Sequence, residues 1–219
     1  WVEHNATEIW DDVKKLISKI LKKNKLVSKD IISIGITNQR ETTVLWNKKT
    51  GKPIYKAIVW QDRRTASFCE NLKKKGIHKK IQKITGLEVD PYFSASKIKW
   101  IIDNIKEAKK NLKNNNLLFG TIDTWLLWNL TQGKSHLTDI SNASRTMIFD
   151  SQKEKWSDEI LKILKIPKKI LPNVVENAHD FGSTKLFGDS ISIGGMAGDQ
   201  QSATIGQACF KKGQSKSTY

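Results

Sequence analysis

The chain has 219 residues, 38% of them hydrophobic, with 8 Trp and 7 Phe spread along its length. That size allows one large domain, or one domain plus a piece of another. The apolar content excludes a disordered chain, and no stretch is long and apolar enough to span a bilayer. The formal net charge of +16 invites a nucleic-acid reading, but only 4 of the 38 basic residues are Arg. Scattered lysines such as Lys14-Lys15, Lys22-Lys23 and Lys73-Lys74-Lys75 read as a solvated basic face, and no nucleic-acid partner is expected.

The chain opens on the polar run Trp1-Val2-Glu3-His4-Asn5, without Met or a visible secretory leader. An amphipathic helix is predicted over 6–23, where Ile9, Trp10, Val13, Leu16, Ile17, Ile20 and Leu21 recur at three- and four-residue steps. The apolar run 31–36 reads as a buried strand. Residues 42–46 and 53–59 read as two more strands, joined as a hairpin by the polar turn 47–52. Helices are expected over 64–74, 78–85 and 94–104. The Asn/Lys-rich stretch 109–116 reads as a loop. Helices follow over 121–130 and 156–164, the latter ended by Pro167. A strand over 190–196 then runs into a helix over 200–206. Residues 214–219 read as the beginning of a strand, so the sequence is expected to be an internal stretch of a longer protein. Strands and helices interleave, so the class is α/β. The 2 cysteines, Cys69 and Cys209, have no metal-ligand spacing. A reducing, cytoplasmic setting is expected, without structural zinc or a disulfide framework.

Four polar clusters stand at predicted strand or helix ends, where open α/β folds carry function. In Thr37-Asn38-Gln39-Arg40-Glu41-Thr42 a cation and a carboxylate sit side by side. That suits vicinal hydroxyls, though a surface ion pair would look the same. In Trp60-Gln61-Asp62-Arg63-Arg64, Trp60 suits the C–H face of a polyol or simply the core, and Asp62 suits a helix cap. In Asp90-Pro91-Tyr92-Phe93-Ser94, Ser94 suits an N-cap, and Tyr92 either offers its hydroxyl to a ligand or packs. In Gly194-Gly195-Met196-Ala197-Gly198-Asp199-Gln200, small residues let backbone and ligand approach closely. Asp199 stands at a strand-to-helix turn, as a general base or an N-cap.

Taken together, the stretches 35–43, 52–65 and 92–104 resemble the FGGY family of carbohydrate kinases, and within it the members that phosphorylate glycerol. Tyr92, Ser94, Lys97, Ile98, Trp100, Ile101, Asp103 and Asn104 fit a family signature. Phe119-Gly120-Thr121-Ile122-Asp123-Thr124-Trp125-Leu126 and the run from Thr138-Asp139 to Asn142-Ala143-Ser144-Arg145-Thr146 are similar to the family too. The resemblance implies a two-domain, actin-like ATPase fold with ribonuclease-H-like cores. Residues 1–207 would be the N-terminal, polyol-binding domain without its first strands, and 208–219 the start of the nucleotide-binding domain. It implies ATP-dependent phosphorylation of glycerol with Mg2+, by a homo-oligomer when full length. Arg40, Glu41 and Tyr92 would hold glycerol, with Trp60 lining the pocket and Gln200 near it. Asp199 would be the general base, close to Mg2+. The family's Asp-Gln-Gly-Thr-Thr phosphate loop and its adenine site are not in this stretch, so it is expected to be inactive alone. Phe187-Gly188-Asp189-Ser190 stands where some bacterial members bind fructose 1,6-bisphosphate through Gly-Gly-Thr-Arg, and that regulation is not carried over. The alternatives are another polyol or ketose kinase of the family and, in a different class, a non-catalytic basic binding protein.

Overall fold

A computed structural model describes residues 1–217. A short strand β1 (Glu3–His4) precedes helix α1 (Ala6–Lys23). Asn5 starts the helix, its Oδ1 accepting from Thr7 N at 3.1 Å, while Lys22 and Lys23 sit at the negative end of the helix dipole. Strands β2 (Ser33–Asn38), β3 (Val44–Asn47) and β4 (Ala57–Ile58) follow. Next come helices α2 (Ala66–Lys74), α3 (Ile77–Thr85), α4 (Ser94–Asn104) and α5 (Lys106–Lys113). Strand β5 (Leu117–Gly120) leads into α6 (Ile122–Leu130), and β6 (Leu137–Asp139) into the single turn α7 (Ile140–Ala143). The chain continues through β7 (Phe149–Asp150), β8 (Lys155–Trp156), α8 (Asp158–Leu164), β9 (Asn173–Val175), β10 (Ser183–Thr184), β11 (Ile191–Gly198) and α9 (Asp199–Gly206).

The pairing that positions the site is β11 beside β2. The two run parallel, with Ala197 opposite Thr37 and Gly198 opposite Asn38. β10 completes that sheet on the far side of β11, and β3 forms a separate antiparallel pair with β5. α6 is buried nearly all round and packs Trp125 against Trp46 of β3 at 5.4 Å between ring centroids. Its indole Nε1 also donates to Ala6 O at 2.8 Å, which ties α1 to this core. A second core gathers Cys69, Ile81, Ile98, Ile101 and Leu161 beneath α2 to α5 and α8. Among the described residues, no helix is long and apolar enough to cross a membrane.

Several boundaries differ from expectation. The run 31–36 pairs only from Ser33 onward, because Ile32 points into solvent at 95% exposure and the ladder needs residues 37 and 38 instead. The stretch 53–59 is mostly irregular. Only Ala57–Ile58 is strand and it pairs with β1, while the hairpin to β3 survives as isolated bridges Thr43–Ile58 and Trp46–Pro53. The expected loop 109–116 is helix α5 as far as Lys113, because Ala108 and Asn111 are buried on its inner side and its polar residues form the outer face. Trp156 belongs to a strand, not to α8, and residues 214–217 form no strand. Thr218 and Tyr219 lie outside the described residues.

Candidate active site

Parallel strands bring their ends together on the same edge of a sheet, so the loop after β2 and the start of α9 lie side by side. This is why Arg40 and Asp199 meet although 159 positions apart: Arg40 Nε donates to Asp199 Oδ1 at 3.1 Å. The Arg40 side chain is largely buried, and the Asp199 side chain is 49% exposed. The approach requires Gly198, because a β-carbon there would lie 2.3 Å from Arg40 Cδ. Asp199 is the first residue of α9, after Gly198 at the N-cap, and its Oδ1 also accepts from Gln200 N at 2.9 Å. Gln200 Oε1 accepts from Lys216 Nζ at 3.1 Å.

Glu41 turns the other way. Its backbone is left-handed, with φ of 63°, an uncommon state for a residue with a side chain. Three hydrogen bonds fix that turn: Thr42 N to Arg40 O at 2.7 Å, Thr43 Oγ1 to Glu41 O at 3.1 Å and Ser94 Oγ to Glu41 O at 3.0 Å. The adjacent side chains therefore diverge. Glu41, only 2% exposed, accepts from Arg145 Nε at 2.7 Å and makes no pair with Arg40. The Arg145 guanidinium carbon also lies 4.9 Å from the Phe93 ring centroid and 5.7 Å from that of Tyr92. Tyr92 in turn meets Trp60, with 5.3 Å between ring centroids. The contacts thus form two groups, Asp199 with Arg40 and Glu41 with Arg145, Tyr92 and Trp60, joined by the peptide between Arg40 and Glu41.

Burial pushes the Glu41 carboxyl above its usual range, opposed by the charges of Arg145, Arg40 and Lys97. Burial also pushes Lys97 down to about 7, opposed chiefly by Glu41. Lys97 Nζ donates to Phe93 O at 3.1 Å and to Tyr92 O, so the lysine anchors the turn that presents Tyr92.

Two cap assignments are corrected. Asp62 does not cap a helix, since α2 starts at Ala66 after Thr65. Asp62 instead accepts from Arg64 Nη2 and from Arg64 N, each at 2.8 Å. Burial raises its pKa, but the Arg64 hydrogen bonds outweigh that and hold it near 2. Ser94 is the first residue of α4 and spends its hydroxyl on Glu41, not on capping. Arg145 and Lys97 stood in recognisable stretches of the sequence, but nothing local to them signalled that they face Glu41. Among the described residues, no cluster of three or more His, Cys, Asp or Glu could hold a metal ion.

A model of the N-terminal domain of the FGGY family of carbohydrate kinases matches residues 1–206. A glycerol kinase from Caldanaerobacter subterraneus subsp. tengcongensis is 55% identical over 100% of this chain and 44% of its own length. One from Bacillus subtilis is 52% identical, again over 100% of this chain and 45% of its own length. The chain therefore spans less than half the length of these curated relatives. Among solved structures, Plasmodium falciparum glycerol kinase with ADP superposes with a TM-score of 0.90 at 39% identity, covering 97% of this chain and 43% of that one. A xylulose kinase from Lactobacillus acidophilus gives a TM-score of 0.81 at 24% identity over 93% of this chain and 41% of that one, which speaks to fold alone. The α/β fold is the actin-like ATPase fold of these kinases.

Proposed function

Because this chain belongs to the FGGY family of carbohydrate kinases, we propose that it is the acceptor-binding part of a longer ATP-dependent enzyme that phosphorylates glycerol. In this reading residues 1–207 form the polyol domain, and 208–219 begin the domain that carries the nucleotide. The names of the relatives support glycerol as acceptor. The observation that carries the chemistry is the Arg40–Asp199 pair at the ends of two parallel strands, with Glu41 buried one residue away.

Each hydroxyl of a triol needs both a donor and an acceptor. Arg40 supplies N–H donors, Glu41 supplies an acceptor, and the Tyr92 phenol supplies either. The rings of Trp60 and Tyr92 suit the C–H face. Glu41 keeps one carboxylate oxygen on Arg145, which leaves the other for the acceptor. Asp199 is the general base, solvent-accessible and oriented through one oxygen by Arg40. Gln200, next to it, borders the same site. Phosphoryl transfer asks mainly for positioning and charge stabilisation. Mg2+ commonly binds through one or two carboxylates plus substrate phosphates, and Asp199 is the carboxylate this chain would offer. The ion would neutralise charge on the transferred phosphoryl group. The buried free thiol of Cys69, pushed up to about 11 by burial, suits a reducing cytoplasm.

The test is an acceptor panel. The full-length protein carrying this chain, supplied with Mg-ATP, is assayed for ADP release with glycerol, a tetritol, xylulose and ribulose. We expect kcat/KM for glycerol to exceed that for every other acceptor by at least about tenfold, a difference near 1.4 kcal/mol. A ketose turned over faster than glycerol would assign the site to another branch of the family.

A further inference from the structure

Beneath the Arg40–Asp199 pair lies a buried polar cluster that the reaction as described does not use. Its centre is Asp139, fully buried at the end of β6. Five contacts reach its two oxygens, all from donors: Ser141 N at 2.6 Å, Asn142 N at 3.4 Å, Asn142 Nδ2 at 2.6 Å, Asn177 Nδ2 at 2.8 Å and the Ser141 hydroxyl. Capping the single turn α7 accounts for the two backbone contacts. The three side chains lead elsewhere.

Ser141 Oγ, while donating to Asp139, accepts from Gly198 N at 2.8 Å. Asn177 Nδ2 donates to Met196 O at 2.9 Å, and Asn177 O accepts from Met196 N at 2.9 Å. Both partners grip the last residues of β11, directly before Asp199. On the other side, Asn142 and Asn38 exchange hydrogen bonds, with Asn38 Nδ2 to Asn142 Oδ1 at 3.0 Å and Asn142 Nδ2 to Asn38 Oδ1 at 3.1 Å. Asn38 is the last residue of β2 and stands two positions before Arg40. A second buried carboxylate, Asp123, backs this arm, receiving Asn38 Nδ2 at 3.4 Å and Thr138 Oγ1 at 2.7 Å.

We propose that Asp139 is a positioning residue for phosphoryl transfer: through Ser141 and Asn177 it fixes the strand end that carries the base Asp199, and through Asn142 and Asn38 it fixes the strand end that carries Arg40 and Glu41. The proposal rests on the kinase reading above. Its content is that one carboxylate sets the separation of two catalytic segments, each arm reaching a different part of the reaction. Helix capping alone would make neither strand end depend on these side chains. Misplacement of reacting groups by about 1 Å costs about 10²-fold in rate, so loosening either arm is measurable.

The experiment uses the full-length protein with Mg-ATP and glycerol, comparing wild type with Ser141→Ala, Asn142→Ala and Asp139→Asn. Ser141→Ala removes the hydroxyl that holds Gly198. It is expected to lower kcat by about 10- to 100-fold while KM for glycerol changes by less than about threefold. Asn142→Ala, which releases Asn38, is expected to raise KM for glycerol by more than it lowers kcat. Asp139→Asn, which faces its donors with an amide, is expected to do both. Should Asp139→Asn not fold, Ser141→Ala still decides the matter, since it removes one hydroxyl and adds no volume. Wild-type kcat in Ser141→Ala, or the same proportional change of kcat and KM in both arm variants, overturns the proposal. A wild-type protein that phosphorylates no glycerol in the same assay overturns the kinase reading itself, and active wild type with unaffected variants overturns only the role of Asp139.

Discussion

Replacing Asp199 by Asn in the full-length protein is expected to lower kcat for glycerol phosphorylation by about 10²- to 10⁴-fold, the usual contribution of a general base, with KM for glycerol nearly unchanged. The amide keeps an oxygen for Arg40 Nε and for Gln200 N, the two donors that Asp199 Oδ1 now serves. Geometry is therefore retained and basicity alone is lost. Steady-state measurement of ADP release at saturating and subsaturating glycerol separates the two parameters. Turnover within a few-fold of wild type would remove Asp199 from the role of base.

Glu41→Gln is the second large effect, and it falls on the acceptor. A hydrogen bond to a charged group contributes about 1.5–3 kcal/mol, so loss of the carboxylate is expected to raise KM for glycerol by about 10- to 100-fold. The pH profile carries a further signature. Burial raises the Glu41 pKa, while Arg145 from the loop after α7, Arg40 on its own loop and Lys97 of α4 pull it back. In the proposed reading acceptor binding needs the anion, so kcat/KM for glycerol is expected to be full above the raised pKa. It falls as pH drops through that value, which lies higher than for an ordinary glutamate. The Gln variant has no carboxyl to protonate at this position and should lose this acid limb. A limb that persists unchanged in Glu41→Gln would assign it to another group.

The long helices were legible from sequence because their signals are local. The periodicity of 6–23 lies within one continuous run of residues, and the Asn5 cap and terminal lysines seen in the structure stand at its two ends. The short strands β1, β6 and β9 were not legible because their partners are distant in sequence, and β7, β8 and β10 were not because two residues show no alternation. α5 was read as a loop because lysine and asparagine dominate it, and only its buried inner residues betray a helix. In the site, the polar clusters at strand ends were visible as candidate loops. Their pairings were not. Arg40 and Glu41 look like natural partners, yet each finds its counterpart more than 100 positions away, Asp199 for one and Arg145 for the other. Only the left-handed turn between them explains that separation, and no local residue preference announces such a turn at glutamate.

That turn constrains what position 41 can hold. A side chain in this backbone state carries a conformational penalty of order 1 kcal/mol, which glycine would not bear. Gly at position 41 would shed that penalty but would strip Arg145 of its carboxylate partner, so the two effects oppose each other. A change at position 41 thus weighs on a partner 104 positions away as well as on its own backbone.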